Sequence, residues 1–132
     1  NEIAFTLEQI KKIAPETEII LLGQIPTWID PHPYMNIIRI LNSSIKIKDI
    51  PSKLKNKNFL KNQKINKTLS MISTKNNISF INPHEFLCSN DQFCSIFEDG
   101  TINVLFFDTN HLTTKGSEIF VERLFEKKIN IN

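Results

Sequence analysis

The sequence predicts an α/β domain in which a small, mostly parallel sheet is flanked by helices, part of a three-layer arrangement. Three observations predict it. Short apolar runs alternate with longer stretches of helical period, the order expected of strands joined by helical crossovers. Two of those runs, Glu18-Ile19-Ile20-Leu21-Leu22-Gly23 and Ile78-Ser79-Phe80-Ile81, are nearly continuous rather than alternating, as strands covered on both faces are. With 132 residues and a hydrophobic fraction of 40%, the chain can bury one core and no more.

The elements follow in order. Thr6 and Gln9 have capping-box spacing, and Leu7, Ile10 and Ile13 form a helical stripe that Pro15 ends. The apolar run over residues 18–23 is the first strand. Pro26, Pro31 and Pro33 make residues 24–34 an extended loop leaving its carboxyl end, and residues 34–41 read as a short helix. A polar, lysine-rich connection follows, and Pro51 forbids a continuous helix across it. Residues 59–73 have an amphipathic helical period, with Ile65, Leu69 and Ile72 inward and Lys61, Lys64 and Lys67 outward. Residues 78–81 form the second strand, and Asn82-Pro83 opens a short helix through Leu87.

Residues 95–97 and 103–107 flank the turn signal Glu98-Asp99-Gly100 and predict a small hairpin or a strand with an irregular lead-in. Thr113 or Thr114 caps a closing helix over residues 113–127, with Ile119, Phe120, Leu124 and Phe125 inward. Lys127 and Lys128 suit the negative end of its dipole. Two or three strands fall short of the roughly five of a self-sufficient doubly wound domain. Residues 1–132 are therefore expected to be a single, incomplete domain whose N-terminal strands are missing. Asn1 in place of a starting Met points the same way.

Composition excludes several classes. No run approaches the roughly 20 apolar residues of a membrane-spanning helix, and no basic start before an apolar stretch marks a signal peptide. A net charge of +2 beside that apolar content argues against disorder. Glycine occurs only at Gly23, Gly100 and Gly116, which excludes a dinucleotide fingerprint, a Walker A loop and a G-x-S-x-G elbow. No cofactor is expected. Lysines 46, 48, 53, 55, 57, 61, 64, 67 and 75 are offset over that stretch only by Asp49. A polyanion-binding patch is one reading. With Phe59 the lone aromatic among them, a solvated loop and helix face is preferred, and no nucleic-acid partner is expected.

Cys88 and Cys94 are six residues apart in L-C-S-N-D-Q-F-C. Spacing leaves two readings open: a short disulfide loop turned by Ser89-Asn90-Asp91, or two free thiols. Cys-x5-Cys without a second Cys/His pair is not a zinc pattern.

The segment richest in chemistry is Phe107-Asp108-Thr109-Asn110-His111-Leu112-Thr113. An apolar strand ends, an acid follows at once, and a histidine comes three residues later, ahead of a capped helix. Carboxyl ends of strands are where open α/β sheets place their sites. In a tight turn, the spacing lets the carboxylate accept from the imidazole, fix its tautomer and make the other nitrogen a base for a serine hydroxyl. Spacing alone favours the plainer reading, in which Asp108 caps a turn and His111 packs in a loop. His32, in D-P-H-P-Y, is a weak substrate-binding candidate on the same sheet edge, and His84 at a helix start reads as structural. Nothing enforces metal-ligand spacing among Asp108, His111 and His32, so no metal is expected.

The pattern from Leu87 onward, L-C-x5-C and then F-D-T-N-H-L-T-T-K-G, resembles the end of the SGNH domain of the SGNH/GDSL hydrolases. It is most similar to the periplasmic domain fused to membrane acyltransferase-3 proteins that O-acetylate bacterial surface polysaccharides. Asp108, His111, Leu112, Thr113 and Gly116 match the family block D-x-x-H-L-S-x-x-G, with Thr113 in place of the usual Ser. I-I-L-L-G-Q-I-P over residues 19–26 is similar to the family's central strand and proline loop. The resemblance spans most of the chain, and its specific part is the terminal block.

The resemblance implies a flavodoxin-like SGNH fold, a Cys88–Cys94 disulfide, His111 as general base and Asp108 as the acid that orients it. It implies the C-terminal portion of a serine-dependent O-acyl transferase or esterase domain acting on bacterial cell-surface carbohydrate such as lipopolysaccharide. The place implied is the periplasmic face of the inner membrane, within a longer protein. Its partners would be a carbohydrate or acyl-ester substrate, the upstream half of the domain and a membrane acyltransferase domain. None of the chain's nine serines follows Gly-Asp, the family's nucleophile motif, so the chain alone is expected to be inactive. The rival reading is a non-catalytic remnant or binding module on the same scaffold.

Overall fold

In the computed structural model the described residues are 2–29, 38, 42, 51–89, 91–101 and 103–129. Helix α1 (Glu2–Ile13) begins before the expected cap. Thr6 lies inside it, its hydroxyl donating to the Glu2 carbonyl at 2.9 Å. Only Leu7 of the expected stripe is buried, while Ile13 is 84% exposed. Strand β1 (Ile20–Leu22) runs parallel to β3 (Ser79–Ile81), with Leu21 opposite Phe80. This is the small parallel sheet the sequence predicts. Both faces were expected to be covered, yet Ile20 and Leu22 are 44% and 49% exposed because no described element packs over them.

The lysine-rich connection holds an element the sequence reading missed. Strand β2 (Lys53–Lys55) pairs antiparallel with β4 (Phe93–Ser95), Leu54 opposite Cys94. Its lysines point outward and its one apolar residue is half-buried, an alternation too short to separate from a solvated loop. Lys53, Lys55, Lys57, Lys61, Lys64, Lys67 and Lys75 are all exposed. Lys46, Lys48, the helix expected over residues 34–41 and His32 lie outside the described residues, Ile38 apart.

Helix α2 (Phe59–Lys75) has the expected length but a different inward face. Asn62, Asn66 and Ser73 are buried, Leu69 and Ile72 half-buried, and Ile65 exposed. The reason is the loop beneath, whose backbone needs amide partners rather than methyl groups. Helix α3 (His84–Leu87) follows Pro83 as expected. Beyond β4 the chain makes an irregular hairpin, with bridges Phe97 to Val104 and Phe106 to Leu112, and closes in α4 (Thr114–Ile129). Ile119 and Phe120 are buried there, Leu124 is half-buried, and Phe125 is 59% exposed, against the expected inward set.

The core sits under this C-terminal half. Trp28, Leu87, Cys94, Ile96, Phe97, Leu105, Phe106, Ile119 and Phe120 form one buried cluster. Trp28 meets Phe106 edge to face at 5.6 Å, and a disulfide joins Cys88 to Cys94 at the cluster's margin.

His84 is buried beside this cluster, and desolvation lowers its pKa from 6.5 to about 4. Between those values the unfolded chain binds a proton that the folded chain refuses. Stability is therefore full above pH 6.5 and falls as the pH drops toward 4, by up to about 3 kcal/mol. Urea unfolding at pH 7 and pH 4.5 measures the loss, and His84→Gln is expected to flatten it.

Candidate active site at the Asp108 turn

The last apolar strand-like segment delivers Leu105 and Phe106 into the core and stops at Phe107, which is exposed. Asp108 then builds the turn. Its Oδ1 accepts the backbone N–H groups of Asn110 and His111, both at 2.8 Å, and its Oδ2 lies 2.6 Å from His111 Nδ1. One carboxylate thus sets the turn's backbone and its imidazole together. The Phe107 N–H donates to the His111 carbonyl at 2.9 Å and closes the loop.

These hydrogen bonds, first that from Asn110 N–H and then that from the His111 ring, lower the Asp108 pKa to about 2. The carboxylate is therefore ionised at neutral pH and can only accept. Nδ1 then carries a ring hydrogen, and in the neutral imidazole the lone pair falls on Nε2. The His111 side chain is 68% exposed, so that lone pair belongs to a ring open to a partner. The plainer reading, a ring packed in its loop, does not describe this histidine.

Two further sets of contacts hold the turn in place. Thr113 caps α4: its hydroxyl donates to the Val104 carbonyl at 2.6 Å and accepts the Gly116 N–H at 2.9 Å. On the other side, the Trp28 N–H donates to the Thr109 carbonyl at 2.7 Å, tying the loop after β1 to the Asp108 turn. Asn66 fixes that loop at its root. Its side chain accepts the Gln24 N–H at 2.6 Å and donates to the Gln24 carbonyl at 3.0 Å and to Asn82 Oδ1 at 2.9 Å. Asn62 bonds Thr27 Oγ1 at 3.0 Å. The sequence carried a signal for this: Asn58, Asn62 and Asn66 recur every four residues, one stripe of amides on a helix face.

Asn66→Ala is expected to cost about 2 kcal/mol, because it strips partners from both Gln24 backbone groups and from Asn82. Urea denaturation gives the loss, and amide exchange of Gln24 and Trp28 shows whether the loop loosens with it.

The model of the family described as SGNH domain (fused to AT3 domains) matches residues 2–126. The chain belongs to this family. Among solved structures, this SGNH domain is similar to the periplasmic domain of a lipopolysaccharide acetyltransferase from Salmonella ser. Paratyphi A. The TM-score is 0.74 at 22% sequence identity, over 96% of this chain and 48% of that one. The chain therefore spans about half the length of that structure, and the likeness at this identity is one of fold. None of the curated proteins matches the sequence. Among the described residues of this SGNH domain, no helix is long and apolar enough to cross a membrane.

Proposed function

We propose that the chain is the C-terminal portion of a serine-dependent O-acetyltransferase domain acting on bacterial surface carbohydrate, lipopolysaccharide being the class its structural neighbour names. In this reading His111 Nε2 takes the proton of a serine hydroxyl supplied by the upstream half of the domain. Asp108 orients the ring and stabilises the imidazolium that forms. The acetyl-serine then passes its acyl group to a sugar hydroxyl, or to water by the same steps. The observation that carries the reading is the 2.6 Å bond between Asp108 Oδ2 and His111 Nδ1 on an exposed turn.

Support for an upstream half comes from what the chain leaves open. The Gly-Asp-Ser motif is absent from its nine serines. Ile20 and Leu22 on β1, and Phe5 and Ile13 on α1, present apolar surface that a further layer of the domain would cover. Residues 1–132 then form one incomplete domain, held at the periplasmic face of the inner membrane by an acyltransferase-3 partner. The missing nucleophile also favours a second reading, a non-catalytic remnant, and one experiment separates the two. The chain is joined to an upstream SGNH half bearing Gly-Asp-Ser and supplied with p-nitrophenyl acetate. The expected result is turnover and an acetylated serine seen by mass spectrometry. A folded joined protein that forms no acetyl-serine would sink the catalytic reading.

A further inference from the structure

Beside the Cys88–Cys94 disulfide lies a third donor side chain, His84, which the proposed acyl transfer does not use. His84 and Cys88 are four residues apart across α3, and the Cys88 N–H donates to the His84 carbonyl at 3.0 Å, which keeps both side chains on one side. His84 Nδ1 lies 3.6 Å from Cys88 Sγ. Cys94 arrives from β4 opposite Cys88, and the three donor atoms lie within 4.8 Å of one another. His84 and Cys94 are buried and Cys88 is half-buried.

We propose that the dithiol form of the protein binds one thiophilic divalent cation of the zinc class through Cys88 Sγ, Cys94 Sγ and His84 Nδ1. Donors bound tetrahedrally at about 2.3 Å for sulfur and about 2.0 Å for nitrogen sit roughly 3.5 to 3.8 Å apart. The nitrogen and one sulfur already have that separation. What keeps the metal out is the S–S bond, which ties up both sulfurs. A dithiol reductant opens it: two electrons and two protons go to the cysteines, and the reductant leaves as its own disulfide. The cation then displaces both thiol protons, and the two thiolates neutralise its charge in the protein interior. His84 supplies a neutral imidazole, the form a metal needs, and burial disfavours its protonated competitor. Three protein ligands leave a fourth position for water. The site is therefore redox-gated: disulfide without metal, or dithiol with it. The sequence hides it, because the third ligand comes from the helix before the cysteine loop and not from a second Cys/His pair.

The test uses the full chain, reduced with a non-thiol phosphine that is then removed under argon, and Co2+ as the probe. One equivalent of Co2+ is expected to give the near-ultraviolet thiolate charge-transfer band, and Zn2+ to bleach it. The oxidised protein is expected to give none. Cys94→Ser should abolish the band, and His84→Asn should weaken Co2+ binding at least tenfold. Where His84→Asn fails to fold, the 15N resonance of His84 Nδ1 in the reduced native chain decides, moving on Zn2+ addition while that of His111 stays. No band at stoichiometric Co2+, or a His84 resonance indifferent to Zn2+, overturns the site.

Discussion

His111→Ala in the joined protein is expected to lower kcat/KM for p-nitrophenyl acetate by roughly 10³ to 10⁴, the usual contribution of a positioned base that also activates a nucleophile. Stability should barely move. The ring is mostly solvent-exposed and, among the described residues, its side-chain partner is the Asp108 carboxylate, so the folding change belongs with ordinary surface substitutions, within about 0.5 kcal/mol. That separation matters, because a rate lost through unfolding would say nothing about the base. Asp108→Asn is the companion variant. Its amide oxygen can still accept the Asn110 and His111 backbone N–H groups, so the turn survives. Its amide nitrogen then faces Nδ1 and favours the tautomer with hydrogen on Nε2, where a base needs a lone pair. A loss of about 10² or more is expected, together with an unchanged melting temperature. Steady-state kinetics and thermal unfolding on the same preparations check both. If His111→Ala keeps activity within tenfold of the parent, the proton goes elsewhere and the proposed role fails.

The legibility of this protein in its sequence divides along physical lines. Both parallel strands, α2, α3 and α4 were readable because their cues are local: apolar run length, period, a proline at a helix start and a threonine cap. The Asp108 turn was half readable: its acid and backbone donors lie within four residues, but spacing alone favoured a packed ring, and the pairing with His111 was expected only from the resemblance. What failed was long-range. The face α2 buries is set by a loop some 40 residues away in the chain, whose exposed peptide groups make Asn62 and Asn66 better inward residues than Ile65. β2 exists because β4 is there to pair with it, and no property of Lys53, Leu54 and Lys55 alone announces that. Ile20 and Leu22 are not covered by any described residue, so a continuous apolar run was read correctly as a strand and incorrectly as buried. His84 belongs with the long-range group too, since its burial and its approach to the cysteines are products of packing.

Gly116→Ala is expected to cost about 4 kcal/mol, against the ordinary rule that alanine improves a helix. Helix propensity alone would give a gain of about 1 kcal/mol. The steric term runs the other way and is larger. A methyl at position 116 would lie 2.1 Å from the Leu105 carbonyl oxygen, 2.9 Å from its carbon and 3.0 Å from its Cα. These are backbone atoms, so no rotamer change relieves the clash. Leu105 is fully buried, its N–H bonds the Ile96 carbonyl at 2.9 Å, and its carbonyl accepts the Thr113 N–H at 3.0 Å. To admit the methyl, either α4 lifts off and breaks the Thr113 cap, or Leu105 leaves the core. Both routes place the cost at or beyond the upper range for overpacking. The same displacement reaches the Asp108 turn, because Asp108 lies three residues past Leu105 and Thr113 is bonded to both Val104 and Leu105. Turnover by the joined protein should therefore fall along with stability, unlike the His111→Ala case. Gly100→Ala is the control: its φ of +73° strains an alanine, but nothing lies within 4 Å, so roughly 1 kcal/mol and unaltered turnover are expected. Urea midpoints of the two variants rank the effects, and a Gly116→Ala protein as stable as its parent would show that α4 is not seated on the Leu105 carbonyl.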